Sequence, residues 1–157
     1  MPEKQEQELV EEASLPQAEI AVIVMGDKGD VLLGKIPEGF DKDKVSMPMS
    51  RIEPFESLSD AAKRTVMEWA GVEVNPQHAI FVCESIHPEV QEHRVVIFVF
   101  ANRIGKASNK KDSFWVDVRE LGNYQEDLSD LAADGFYKLS IILKRQAQAA
   151  DSQPKQA

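Results

Sequence analysis

Residues 57–71 place the strongest constraint on the fold, because they carry a complete signal for one amphipathic helix. Ser57 and Asp60 form a capping-box pattern, in which side chains satisfy free N–H groups of the first turn. Gly71 favours a left-handed C-cap and predicts where the helix ends. One face is apolar at helical spacing: Leu58, Ala61, Ala62, Val66 and Ala70. The segment therefore predicts a helix over residues 57–70 with one face turned to the core.

Short apolar segments before and after this helix predict strands. We expect strands at residues 19–25, 30–36, 79–83, 95–101 and 113–118, and a short extended piece at 45–52 interrupted by Pro48. Gly26 and Gly29 flank a turn that favours a hairpin. A last helix is predicted over residues 128–145. The pattern indicates an α/β fold, a mixed sheet in an α/β/α sandwich, although periodicity alone leaves its topology open.

Length, charge and cysteine content limit the class of protein. The chain has 157 residues and a formal charge of −9, which fits one domain and disfavours non-specific binding to nucleic acid or anionic membranes. The longest apolar run, residues 95–101, is too short to span a membrane. The single cysteine, Cys83, cannot form an internal disulfide and indicates a buried thiol in a reducing cytoplasm. We predict a cytoplasmic protein.

The two ends differ in composition from the middle. Residues 1–17 contain five glutamates against one lysine, so they are predicted to be a flexible acidic tail. Residues 146–157 are polar and are predicted to be a flexible C-terminal tail. The folded domain is then predicted to comprise residues 18–145.

Residues 47–74 resemble a Nudix box, whose family pattern is G-x(5)-E-x(7)-R-E-U-x-E-E-x-G-U, with U an aliphatic residue. Positions that agree with the pattern are Glu56, Arg64, Val66, Glu68, Gly71 and Val72. Positions that depart from it are Ser50 for the first glycine, and Thr65 and Trp69 for two glutamates. The chain is thus similar to the MutT-like Nudix hydrolase superfamily, with a degenerate box, and the resemblance implies the Nudix fold.

The resemblance also implies a site for a divalent metal. In the family, acids at positions i, i+3 and i+4 of the helix converge on one volume and hold Mg²⁺ or Mn²⁺, which bridges a diphosphate. The corresponding face here is Thr65, Glu68 and Trp69, so one acid remains of three. The expected metal ligands are Glu68, Glu56 and the carbonyl of Ser50, and we expect weak binding of Mg²⁺ or Mn²⁺.

By the same resemblance, Glu56, Arg64 and Glu68 are the candidate catalytic residues, and Ser50, Arg51 and Trp69 are the candidate ligand-binding residues. Each has an alternative. Arg64 and Glu68 fit a surface helix pair, and Glu56 fits a carboxylate at the positive end of a helix. Trp69 fits either stacking on a nucleobase or packing into the space that metals occupy elsewhere. Ser50 is neutral unless the loop requires a positive φ there.

Two further segments offer polar groups. In residues 84–93, predicted as a loop, Glu89, Glu92, His87 and His93 are candidates for a compensating acid or base, against the alternative of a solvated hairpin end. Lys106, Lys110 and Lys111 form a basic loop that fits either phosphate contact or an exposed turn.

Three functions follow as alternatives. The first is binding of a nucleotide or nucleoside-diphosphate-linked ligand with weak or no hydrolysis. The second is residual Mg²⁺-dependent hydrolysis of a nucleoside diphosphate derivative. The third is a non-catalytic protein-interaction or assembly subunit. The sequence leaves the ligand, a protein partner and the oligomeric state open.

Overall fold

The structure, a computed structural model, describes residues 15–39, 41–106 and 112–152. In this part of the chain four strands precede the first helix, and three strands separate it from the second. The strands are β1 Gln17–Met25, β2 Asp30–Lys35, β3 Val45–Ser46, β4 Met49–Arg51, β5 Glu73–His87, β6 Glu92–Ile104 and β7 Ser113–Asp117. The helices are α1 Leu58–Ala70 and α2 Asp130–Asp151. Short 3₁₀ turns occupy Pro88–Val90 and Val118–Tyr124.

The strands form one mixed sheet in the order β3-β2-β1-β6-β5, with β4 paired to β1 and β7 paired to β2. Strand β1 runs parallel to β6 over its whole length, and the other strand pairs are antiparallel. The β1–β2 hairpin is the predicted one, and its turn contains Gly29 at φ 74°. The predicted mixed sheet is confirmed.

Both faces of β1 are buried, and its side chains separate two cores. Ile20, Val22 and Val24 pack with the α1 residues, while Ala21 and Ile23 pack with the α2 residues. Successive side chains of a strand point to opposite faces, so this alternation places one helix on each side of the sheet. The α/β/α sandwich is confirmed.

The predicted caps of α1 are present at both ends of the helix. The Ser57 side chain accepts a hydrogen bond from the backbone N–H of Asp60 at 3.1 Å, and Gly71 adopts φ 65°. Leu58 was expected on the buried face, but its side chain is 37% exposed because it lies in the first turn, at the edge of the core.

Other boundaries also differ from the predictions. Ser129 caps α2, which begins at Asp130 and continues past Arg145 to Asp151. The prediction of a loop over residues 84–93 is wrong, because β5 and β6 pair as far as His87 and Glu92 and only residues 88–91 connect them. Alternating polar and apolar residues here reflect a strand with one exposed face.

Some predictions fall wholly or partly outside the described residues. These concern residues 1–14 of the acidic tail, residues 153–157, and Lys110 and Lys111. Strand β1 already begins at Gln17, and the division into tails and domain stays a prediction. Within the described residues, no helix is long and apolar enough to cross a membrane.

Candidate functional site

Arg64 connects α1 to the loop that precedes it. Its Nε donates to Glu56 Oε2 and its Nη2 to Glu56 Oε1, both at 2.8 Å, and Nη2 also donates to the Arg51 carbonyl at 2.9 Å. Planar guanidinium and carboxylate groups match in such a two-bond pair. The pair lowers the pKa of Glu56, and it raises the pKa of Arg64. The loop is thereby held in one geometry, in which Phe55 takes a left-handed φ of 63°.

Both oxygens of the Glu56 carboxylate are engaged in this arrangement. Oε1 also accepts from the backbone N–H of Glu53 at 3.2 Å. The geometry therefore favours a loop-supporting role for Glu56, and its role as a metal ligand stays a prediction.

Glu68 lies one helical turn beyond Arg64. Arg64 Nη1 donates to Glu68 Oε2 at 3.3 Å, and the Glu68 side chain is 61% exposed. The structure thus brings together the three candidate catalytic residues, and the contact is also the surface helix pair considered above. Its catalytic role stays a prediction.

Thr65 stands where the family has a glutamate, and it is fully buried. Its Oγ1 lies 2.6 Å from Ser50 Oγ, so one hydroxyl donates to the other across the α1–β4 contact. Ser50 is not among the described residues with positive φ, so no backbone strain arises from replacing glycine there. The two departures from the box are therefore complementary to each other.

Trp69, the third departure from the box, packs toward β2. Its Nε1 donates to the Met49 carbonyl at 2.9 Å. A Cβ added at Gly34 would lie 3.1 Å from ring atoms Cε3 and Cζ3, so the glycine gives the indole its room. Sequence reasoning missed Gly34, whose only signal is a glycine inside an apolar strand. Stacking of Trp69 on a nucleobase stays a prediction.

The donor groups on this face do not fit a metal site built by the protein. Thr65 and Trp69 supply no carboxylate, which leaves Glu68 on the helix face. Among residues 15–39, 41–106 and 112–152, no group of three or more His, Cys, Asp or Glu side chains could hold a metal ion. Hard divalent cations prefer several oxygen ligands, so the chain's own contribution is small.

A polar cleft of about 460 Å³ lies beside β4. Met49 and Arg51 line it, whereas Ser50 between them points to α1, as strand alternation requires. Glu92 and His93 also line the cleft. Of the predicted ligand-binding residues, Arg51 is thus the one at the cleft.

Arg94 is the central cation of this cleft. It lies 3.4 Å from Glu19, 3.8 Å from Asp41 and 3.8 Å from Glu92, measured between charged side-chain atoms. The Glu19 side chain is 13% exposed, and burial raises its pKa although Arg94 opposes the shift. Sequence reasoning missed Glu19, Asp41 and Arg94; the available signal was a charge at the start of two otherwise apolar strands.

The remaining polar candidates divide into two groups. Glu92 and His93 face the cleft, and His93 Nε2 also lies 3.2 Å from Glu84. His87 and Glu89 contact each other at 3.4 Å and do not line the cleft. Lys106 is exposed. Glu92 and His93 are thus the members of this set at the cleft, and a compensating acid or base stays a prediction.

Comparison with known proteins agrees with this architecture. Two solved structures superpose with high scores: a MutT protein from Methanosarcina mazei Go1 (TM-score 0.69, 18% identity, 82% of this chain and 96% of that one) and a NUDIX hydrolase from Nitrosomonas europaea (0.67, 18%, 81% and 90%). A bifunctional NMN adenylyltransferase/ADP ribose pyrophosphatase from Francisella tularensis, complexed with AMP and a manganese ion, matches over 89% of this chain and 45% of its own (TM-score 0.67, 14% identity).

No curated protein sequence gives a significant match. The superpositions, at such low identity, establish the fold alone. The family model named NUDIX domain, in contrast, matches residues 15–138, most of the chain. The protein belongs to the NUDIX domain family.

Proposed function

We propose that this protein binds a nucleotide or a nucleoside-diphosphate-linked ligand in the cleft beside β4, with weak or no metal-dependent hydrolysis. The observation that carries the proposal is how Thr65 and Trp69 are bonded. Both replace acids of the box, and both are hydrogen-bonded to β4, through Ser50 and the Met49 carbonyl. Their positions therefore serve packing between the helix and the sheet.

The cleft supports the binding half of the proposal. Its volume lies within the range of about 300–1,000 Å³ that is usual for small-molecule sites. Arg51 and Arg94 offer donors to phosphate oxygens, while Glu19, Asp41 and Glu92 offer acceptors to hydroxyl or amino groups of a sugar or base. The AMP in the Francisella structure supports a nucleotide-type ligand as the class to test first.

The small number of carboxylates on the helix face supports the second part of the proposal, weak or no metal-dependent hydrolysis. A divalent metal, where bound, would supply charge neutralisation at the phosphates, and Glu68 is the carboxylate available to it on the helix face. Mg²⁺ commonly uses one or two protein carboxylates plus substrate phosphates and water, so residual hydrolysis through Glu68 is the second candidate function.

The test is a thermal-shift and calorimetric screen of nucleoside triphosphates, dinucleotides and nucleotide sugars, first in EDTA and then with Mg²⁺ or Mn²⁺. Preferential binding to the folded state raises the apparent stability. We expect stabilisation by at least one compound in EDTA, and a loss of affinity in Arg51→Gln without a change in the melting temperature of the free protein.

Hydrolysis of the same compounds is then compared with a Glu68→Gln control. Equal, near-background rates support the proposal. Turnover that requires both metal and Glu68 would replace it with the residual hydrolase. No response to any compound would favour the assembly subunit.

A further inference from the structure

The outer edge of β5 pairs with no other strand among residues 15–39, 41–106 and 112–152. Strand β5 is the last strand at its end of the sheet and pairs, within the described residues, with β6 alone. Its first half is irregular, with register shifts at Pro76/His78 and Ala79/Phe81. Such irregularities protect an edge from pairing with another strand. From Phe81 to His87 the register is continuous, and Glu84 is the one acidic or basic (Asp, Glu, Lys or Arg) residue.

This regular segment also exposes apolar side chains. Val82 is 56% exposed and Ile86 is 52% exposed. They lie on the sheet face that packs under α1 farther along, since Val82 pairs with Ile97 of the α1-side core. An exposed edge with apolar side chains and no lysine or proline is favourable for strand addition.

We infer that residues 81–87 pair antiparallel with the same segment of a second copy of this chain. The segment is symmetric about Glu84 in the way that a two-fold interface requires. A two-fold axis at Glu84 places Val82 of each copy opposite Ile86 of the other, and Phe81 opposite His87. Opposed apolar side chains of this kind stabilise antiparallel pairs.

Charges on the other sheet face are complementary under the same axis. Lys138 Nζ lies 6.0 Å from the centre of the Phe81 ring, and Glu89 lies 3.4 Å from His87. Because Phe81 meets His87 across the axis, Lys138 of each copy lies on the same sheet face as Glu89 of the other. Lys138 is also paired with Asp134 of its own chain at 3.0 Å, so the contact with Glu89 extends an existing ion pair.

Glu84 opposes this association. The axis sets the two Glu84 side chains directly opposite each other, and like charges so placed destabilise a strand pair. His93 Nε2, 3.2 Å from Glu84 in each copy, donates a hydrogen bond to that carboxylate and reduces the repulsion. Removing the Glu84 charge should therefore strengthen the dimer.

Sedimentation equilibrium of the full-length chain over a range of concentrations tests the inference. We expect a monomer–dimer equilibrium that Val82→Glu and Ile86→Glu weaken by about tenfold or more in Kd and that Glu84→Gln strengthens. Leu143→Glu is the matched control, because Leu143 is an exposed apolar residue of α2 beside the Val118–Tyr124 turn. It should leave the equilibrium unchanged.

A charge removal adds a test of the register. Glu89→Lys should weaken the dimer, and adding Lys138→Gln to it should recover part of the association, because the like charges no longer face each other and Asp134 stays beside position 138. Far-UV circular dichroism and the melting temperature confirm that each variant is folded. A wild-type chain that is monomeric at all concentrations would overturn the inference, as would a dimer broken by Leu143→Glu and not by Val82→Glu.

Discussion

Strand β4 separates two regions with different chemistry. On the α1 side, Ser50 meets Thr65 and the Met49 carbonyl meets Trp69 through uncharged groups, and the Arg64 guanidinium donates to the carbonyl of Arg51. On the cleft side, Arg51 and Arg94 face Glu19, Asp41 and Glu92. In the family pattern three carboxylates belong on this face of the helix, whereas here Glu68 is the one that remains.

The difference shows that scaffold and charge can change independently in one motif. The caps of α1, its buried face and the Arg64–Glu56 pair are retained, and these hold the loop and helix in place. The acids at Thr65 and Trp69 have been replaced by groups that strengthen helix–sheet contact. The chain therefore keeps the family's fold, and weak binding of Mg²⁺ or Mn²⁺ stays a prediction.

The largest effect is expected at Trp69, because its ring fills the space over Gly34. Trp69→Ala should lower the free energy of unfolding by about 3 kcal/mol, the low end for a large aromatic since the ring is half-buried. Trp69→Phe should lower it by about 1 kcal/mol through loss of the hydrogen bond to Met49. Urea unfolding measures both. Equal, near-zero effects would mean that the α1 side is not a packing contact.

Interactions between residues close in sequence could be predicted, and those between distant residues could not. The α1 helix was predictable because Ser57, Asp60 and Gly71 act within one or two turns. The partner of Trp69 was not, because Gly34 is far away in sequence and only the β2–α1 packing brings them together. The cleft was missed for the same reason: Glu19, Asp41 and Arg94 come from three separate segments.

The cleft side should respond next most strongly. Arg94→Met removes the cation shared by Glu19, Asp41 and Glu92, and leaves the buried Glu19 carboxylate without its main partner. We expect a loss of about 2 kcal/mol in urea unfolding, below the value for a fully buried pair because both side chains retain some solvent contact. Glu19→Gln added to Arg94→Met should recover part of it. An additive double variant would contradict a charge-based cause.

A smaller effect is expected for the hydroxyl pair on the α1 side. Ser50→Ala, Thr65→Val and the double variant form a thermodynamic cycle whose coupling energy should be about 1 kcal/mol. Ser50→Ala alone should be the worse single change, because it leaves the fully buried Thr65 hydroxyl without this partner, whereas the half-buried Ser50 hydroxyl also lies 3.4 Å from the Arg51 carbonyl. A coupling energy near zero would show that the hydroxyls act independently.

The smallest effect concerns Glu56, and its signature is pH dependence. The Arg64 guanidinium lowers the pKa of Glu56 from 4.5 in the folded protein, so the ionised form is the one that folding favours. Its contribution to stability is therefore fully present above pH 4.5 and is lost as the pH falls through the lower folded value. The difference in melting temperature between wild type and Glu56→Gln should be constant near neutral pH and shrink in acid.

Glu53→Gln is the matched control, since Glu53 is an exposed carboxylate 3.9 Å from Arg64. A pH-independent difference for Glu56→Gln would mean that Glu56 stabilises the loop through its hydrogen bonds and not through its charge. The Arg64–Glu56 pair would then be a geometric support for the loop and not an electrostatic one.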